Sequence, residues 1–518
     1  MTNLSSRRSF FNSLLGGSNQ LAVNSLDEHT TPLDIADVYH LLRRCCFSVD
    51  DTFAKTLVGK SAKEAVNLLI NNAPSLNKPV PNFNLNQGFN NPDLLGGGSP
   101  AYHEKRTFNL ETHFAQNDIL KDWWVNLMKV DTKSLSEKIT FMWHGHFTTQ
   151  YEGNEPIAAQ WIYRQNELFR TLFLPNFKLF LEKVTVDGAM LMYLNGNENV
   201  REAPNENYAR ELFELFSIGI DDGNYTEDDI REAAKVLTGW KASHFIEDQS
   251  LYKPYFNPGD YSIEDKEVFG VKFTVDYEVN KDNAYKNAIE KLSAVILEQK
   301  GEAVSKFMAT NFYNYFVYSK PIIEENSIIN ELAEHFRTSG FNLKAMLVKL
   351  LTSKHFFDIN NRGVQIKNHL ENLISFSYHF GIETNQLNKW SKEFGLEPLN
   401  PPNVSGWTGY RNWITTKTLP AYIHEYSKII TAKTNLEIGE WAAKNEGFFE
   451  SRALVEDISF KLLAKLPNSE RVEKLENILL GGAPYYEWPE IAQNKENAGL
   501  RVKALLKAMF KLPDFYLN

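Results

Sequence analysis

The chain has 518 residues, with 55 Lys plus Arg against 65 Asp plus Glu, so its formal net charge is −10 at neutral pH. That balance argues against a dedicated nucleic-acid binder, which needs clustered cations to displace counterions from phosphate. With 43% hydrophobic and 23% charged residues the chain reads as a folded globule rather than an acidic tail, and no run of about 20 apolar residues offers a membrane-spanning helix.

A length prior of about 150 residues per unit allows about three domains. At the N-terminus, Ser6, Arg7, Arg8, Ser9, Phe10 and Phe11 lie close to the twin-arginine export pattern. The apolar run that should follow is interrupted by Ser, Asn and Gln. The expectation is a leader-like or flexible stretch over residues 1–27 and an extracytoplasmic, periplasmic-type location, with a cytoplasmic chain that happens to carry Arg-Arg as the alternative. From Leu33 the pattern turns helical: Ile35, Val38, Tyr39 and Leu42 recur at helical spacing, and Asp34, or Thr31 with Pro32, is the natural start. The adjacent Cys45 and Cys46 suit no ordinary disulfide and read as small buried thiols. A second short helix closes at Asn71 and Asn72, and residues 76–105, rich in Pro, Asn and Gly, read as a long loop.

Leu120, Trp123, Trp124 and Leu127 then make an apolar stripe, followed by a helix carrying Leu135, Ile139 and Met142. Amphipathic segments continue over 157–172, 175–194, 205–216 and 226–238, and again over 283–317, 323–352, 363–396, 420–442, 451–480 and 496–511. Between them, residues 241–280 differ in kind: Val271, Phe273, Val275, Tyr277 and Val279 alternate strictly, which predicts a small β-hairpin inserted into a helical body.

Four segments carry candidate chemistry. In NENYARELFELFSIG, Glu206, Asn207, Arg210, Glu211 and Glu214 fall in one polar arc of a helix, with Glu206 and Arg210 at the favourable acid-first i, i+4 spacing. Such an arc can act in acid/base chemistry, hold a metal, or serve as a structural salt-bridge cluster. Its companion, YTEDDIREAAKVLTGW, opens on a Thr226–Asp229 capping box, with Glu227 and Asp228 complementing the helix N-terminus, so the two should form a hairpin. In MWHGHF, His144 and His146 would point about 200° apart on a continuing helix. If Gly145 stops the helix, an extended segment puts both on one side, where a divalent metal such as zinc could bind; the competing reading is a pair of histidines at a helix C-terminus. In PPNVSGWTGYRNWITT, Asn403, Trp407 and Trp413 are candidate binding residues, unless the rings staple the loop to the helices. Asn195, Asn197, Asn199 and Glu206 have calcium-loop spacing, but Val200 stands where the turn needs Gly. HExxH, GxSxG, P-loop and dinucleotide-binding signatures are missing.

Taken in order, HLLRRCCF, MWHGHF, NENYARELFELFSIG with YTEDDIREAAKVLTGW, PPNVSGW and the terminal LPDFYLN resemble the bacterial domain-of-unknown-function 1800 family. The resemblance implies a mainly α fold in one large helical domain over 28–518 rather than three units. It implies no established activity. Members are often exported and often encoded beside a family that looks related to alkaline phosphatases, which makes such a protein the expected partner. Two departures stand out: Phe216 replaces a commonly found His, and Tyr261 and Ser262 stand where His-Asp is usual, while Lys266 and Gly270 remain. The expected function is a cell-envelope binding or assembly protein acting with a partner. The alternative is a metal-assisted hydrolase using His144 and His146 with Glu206 or Glu211, and Arg210 to position substrate.

Overall fold

Helices often begin where a side chain can accept the first free backbone N–H groups, and this chain marks many of its starts in that way. A computed structural model describes residues 25–73, 78–85, 100–152, 157–220, 223–242, 252–273, 284–321 and 326–518. Asp34 and Asp37 form a capping box at the head of α1 (Ile35–Cys45). Asp50 caps α2 (Asp51–Leu57), and Ser61 with Glu64 caps α3 (Ala62–Asn71). Cys45 and Cys46 are free and buried, as their apolar setting required.

The next element departs from expectation. α4 (Pro100–Val130) begins inside the segment expected to be loop, so residues 100–105 are helix. Proline is tolerated in the first turn because its missing N–H has no intrahelical partner there, and the run after it holds no further breaker. Of the rest of that segment, residues 78–85 are described and are tied down: Trp123 Nε1 donates to the Pro79 carbonyl at 2.5 Å and Gln160 Nε2 to that of Asn84 at 3.0 Å. Residues 74–77 and 86–99 lie outside the described residues, as do 1–24 with Arg7 and Arg8. The packed chain includes Leu26, which is fully buried, and Lys354 N–H donates to the Asp27 carbonyl at 2.8 Å. The last residues of the expected leader-like stretch therefore belong to the folded body.

α5 (Ser136–His146), α6 (Ala159–Thr171), α7 (Phe177–Thr185) and α8 (Gly188–Tyr193) follow. The expected 175–194 helix is divided because Asp187 accepts the Met190 N–H and restarts the chain, and Gly188 lets the Trp161 ring lie where a Cβ would stand. α9 (Glu206–Glu211) widens into a π turn over Leu212–Ser217, and α10 (Glu227–Val236) returns against it.

The β insertion is two short antiparallel ladders rather than one hairpin: β1 (Trp240–Lys241) with β2 (Tyr255–Phe256), and β3 (Lys266–Val268) with β4 (Val271–Phe273). Phe269 and Gly270, at φ of 52° and 76°, make the tight turn between β3 and β4. Of the alternating run, only Val271 and Phe273 fall in a described strand; Val275, Tyr277 and Val279 lie outside the described residues.

The remainder is helical: α11 (Ala284–Gln299), α12 (Gly301–Phe316), α13 (Asn326–Thr338), α14 (Leu343–Leu351), α15 (Lys354–Phe357), α16 (His369–Phe380), α17 (Thr384–Phe394) and α18 (Thr418–Ala432). α19 (Asn435–Ala442), α20 (Ser451–Leu462), α21 (Ser469–Leu480), α22 (Trp488–Gln493) and α23 (Lys495–Met509) complete it. The chain is thus mainly α. Its buried side chains form one cluster from Leu26 to Tyr516, rich in Phe, Tyr and Trp, which supply large buried area at low rotamer cost. Among the described residues, no helix is long and apolar enough to cross a membrane.

Candidate functional site

The hairpin of α9 and α10 places its charges by helical periodicity. Residues 206, 210 and 214 fall in line at i, i+4, whereas 207 and 211 lie about 100° further round. Arg210 donates to both carboxylate oxygens of Glu227, at 2.9 and 2.6 Å, and reaches Glu206 and Glu214 at 3.5 Å each. Hydrogen bonding to Glu227 raises the Arg210 pKa above its ordinary value, and the same bond lowers that of Glu227. Three carboxylates thus occupy one guanidinium.

The expected polar arc is split. Glu211 is half-buried and takes no part in the Arg210 cluster; burial and the nearby Glu214 raise its pKa, with Arg210 opposing. Asn207 turns its amide to the Leu194 carbonyl at 3.1 Å. Asn199 is likewise used by the scaffold, donating to Ala234 O and accepting from Asn205 N–H, which accounts for a residue of the calcium-like spacing.

α5 supplies the second group. The helix runs through Gly145 to His146, and Phe147 closes it by donating its N–H to Trp143 O. Gly145 does not stop the helix because it keeps a negative φ; a glycine stop requires the left-handed conformation. His144 and His146 therefore turn to different neighbours, and the extended arrangement that would set both beside one ion is not formed. His144 is 2% exposed and lies edge-on between Trp124, at 5.2 Å, and Trp407, at 5.6 Å. Its Nε2 has no hydrogen-bond partner, and burial pushes its pKa down to about 3. His146 is half-buried against Phe147 and Phe307, and its Nε2 donates to the Phe216 carbonyl at 3.1 Å. Burial lowers its pKa to about 4, with the Phe216 contact opposing, so both rings are neutral at pH 7. Among the described residues, no group of three or more His, Cys, Asp and Glu is placed to hold one metal ion.

The Pro/Gly-rich loop closes on the same helix end. Gly406, at φ 74°, brings its backbone so near that a Cβ there would stand 2.5 Å from the Gly145 carbonyl oxygen. Thr148 Oγ1 donates to Val404 O. Trp407 stacks on Phe141 at 5.8 Å, and Trp413 lies edge-on to His369 at 4.9 Å. Both indoles are half-buried staples of the loop. Asn403 is exposed, its side chain accepting the Ser405 N–H at 2.9 Å. Upstream, Glu397 accepts from Tyr151 at 2.6 Å and from Lys121 at 2.9 Å. Against the pull of burial, these bonds with those of Asn400 and Lys392 hold its pKa near about 2.

Three motifs distant in sequence thus meet at the C-terminal end of α5: the π turn through His146, the loop through Gly145 and Trp407, and α4 through Trp124. Sequence reasoning did not place Glu227 on Arg210, since a partner 17 positions away has no periodic signature. Nor did it foresee the π turn, in which Ser217 Oγ donates to Leu212 O at 2.5 Å and Ile218 N–H to Phe213 O at 2.9 Å. Such turns recur at functional sites. At the departures from the family pattern, Phe216 packs on Phe147 at 5.3 Å, and Tyr261 is buried under Lys266 Nζ at 4.8 Å. Lys266 donates to Ser262 O at 2.6 Å and Glu264 O at 2.9 Å, and burial lowers its pKa to about 8.

A family model described as a protein of unknown function, DUF1800, matches residues 40–517. No curated protein and no solved structure matches the chain.

Proposed function

The chain belongs to the DUF1800 family, and on that footing we propose that it is a binding or assembly protein of the cell envelope, acting with a partner through the face built around the C-terminal end of α5. What supports this most is the way Arg210 is occupied. Three carboxylates surround it, leaving two negative charges in excess around that guanidinium, with Glu227 65% exposed; Asp228, 79% exposed, is paired with Arg231. An acidic platform of this kind steers and orients a basic surface more than it adds raw affinity. The stapled loop, which meets the same end of α5 through Gly145, presents Asn403, Ser405, Arg411 and Asn412 to solvent. Trp407 and Trp413 serve as supports, and Asn403 is the member of the trio that faces outward. The partner we favour is the co-encoded, alkaline-phosphatase-like protein to which the family resemblance points, and the location we favour is extracytoplasmic.

The test is affinity purification of the tagged full chain from its native cells after cell fractionation, beside a Glu206→Gln/Glu214→Gln/Glu227→Gln variant. One reproducible partner, recovered with the wild type from the envelope fraction and lost with the variant, is expected. A solitary wild-type chain, or equal recovery with both, overturns it.

The metal-assisted hydrolase keeps one observation in its favour: Glu211 is half-buried with a raised pKa, the property of a general acid. Stoichiometric metal lost from a His144→Ala/His146→Ala variant would support that reading; metal below stoichiometry and unchanged in the variant would remove it.

A further inference from the structure

The aromatic side chains of this protein mostly fill its core, and those left in water gather in one place. Among the described residues four aromatic side chains are more than half exposed: Tyr255, Phe449, Tyr485 and Tyr486. Three of them lie about Trp488, the first residue of α22, which is itself fully buried. Trp488 Nε1 donates to the Phe448 carbonyl at 2.9 Å, which brings Phe449 to the turn carrying Tyr485 and Tyr486, 71% and 69% exposed.

The backbone beneath the rings is fixed. α21 ends at Gly481, φ 56°, where a Cβ would stand 1.8 Å from Arg501 Nη1, and that guanidinium donates to the Gly481 carbonyl at 3.2 Å. Glu487 N–H donates to the Pro484 carbonyl at 3.0 Å, closing the turn between Pro484 and the buried indole. The two tyrosine rings meet edge to face with centroids 5.8 Å apart. Among the described residues no group hydrogen-bonds either hydroxyl.

What flanks the rings selects the occupant. Residues 481–490 contain no Leu, Ile, Val, Lys or Arg, so the turn offers neither the aliphatic surface that enters a lipid layer nor the cations that hold a phosphate polymer. Its exposed charges are Glu487 and Glu490, with Glu450 beside Phe449, and among the described residues none of the three joins an ion pair. An ionised carboxylate only accepts hydrogen bonds, so these groups call for donors and repel a polyanion. Exposed rings with unused acceptors beside them match a sugar, whose C–H face packs on a ring while its hydroxyls donate at the edge. We propose that Phe449, Tyr485 and Tyr486 form an open platform for a neutral polysaccharide, with Glu487 and Glu490 accepting from its hydroxyls.

The experiment incubates the full chain with insoluble cellulose, chitin and starch, and with phosphocellulose as the anionic comparison, and measures depletion from the supernatant. Saturable depletion by at least one neutral polymer is expected, little changed between about 0.05 and 0.5 M salt. Tyr485→Ala/Tyr486→Ala should weaken it at least about tenfold with an unchanged circular dichroism spectrum, while Tyr255→Ala, at the exposed ring elsewhere, binds as the wild type does. Should the double tyrosine variant not fold, Glu487→Ala/Glu490→Ala is read in its place, with weakened binding expected. Depletion by none of the neutral polymers, depletion by phosphocellulose alone, or binding that survives these variants overturns the assignment. So does sedimentation showing a dimer that the tyrosine variant abolishes, since a second copy would then cover the rings.

Discussion

Three glycines at the meeting of α5 and the loop give separable predictions. Gly406→Ala introduces a Cβ 2.5 Å from the Gly145 carbonyl oxygen, a backbone atom held within a helix, at a φ of 74° that L-residues avoid. The conformation costs about 1–2 kcal/mol and the forced displacement about 1–3 kcal/mol more, so a loss of about 2–5 kcal/mol is expected. Gly409→Ala has no neighbour nearer than 3.7 Å, but at φ 66° and ψ −163° it sits in a region that is nearly glycine-only, so about 1–3 kcal/mol is expected from conformation alone. Gly145→Ala meets nothing within 4 Å and sits in helical conformation, so it should gain about 0.5–1 kcal/mol. Urea unfolding followed by far-ultraviolet circular dichroism orders the three. A Gly406→Ala protein destabilised by less than about 1 kcal/mol would refute the close approach of the loop to α5. A Gly145→Ala protein destabilised by about 1 kcal/mol or more would refute the continuity of the helix through that residue.

Glu137 is 1% exposed and accepts from two nitrogens of Arg170, from Trp124 Nε1 and from Lys78, so Arg170→Met, which leaves Lys78 as its charge partner, should cost about 1.5–3 kcal/mol in the same urea assay; a loss under about 0.5 kcal/mol would contradict it. Glu397 is depressed from 4.5 to about 2, so its contribution, about 3 kcal/mol, is present above pH 4.5 and lost as the pH falls towards 2. Glu397→Gln should therefore flatten the acid limb of stability against pH, and an unchanged limb would count against the network with Lys121 and Tyr151. Because burial and Glu214 penalise the charge on Glu211, Glu211→Gln should leave stability at pH 7 equal or slightly higher, and a loss above about 1 kcal/mol would show an unrecognised partner. Trp407→Ala removes the stack on Phe141 and the edge contact with His144, and limited proteolysis should then cut between residues 400 and 414 faster than in the wild type; an unaltered cleavage rate would mean that the indole is not the staple.

Much of the fold was legible because its signals are local. The Thr226–Asp229 capping box, the i, i+4 spacing of Glu206 and Arg210, and the period-2 start at Val271 each depend on residues a few positions apart, and each is found where expected. The errors share a cause as well. Whether Gly145 ends a helix depends on its φ, and composition does not encode that angle. Pro100 belongs in composition to the loop before it but in conformation to the helix after it. The site was legible only as separate pieces. His146 meets Phe216 through a main-chain carbonyl, and Gly406 meets Gly145 through another, so neither contact leaves a mark in residue type. The pairing of Glu227 with Arg210 follows from how the hairpin closes, which the lengths of its helices did not determine.

The partner-binding role is tested most directly by hydrogen–deuterium exchange of the full chain, alone and with the protein that co-purifies with it. Slower exchange on binding is predicted for residues 403–412 and 206–214 and for the first turn of α10, with little change in α19 to α23. Protection confined to α19 to α23, with the loop and the acidic hairpin exchanging as in the free protein, would contradict it.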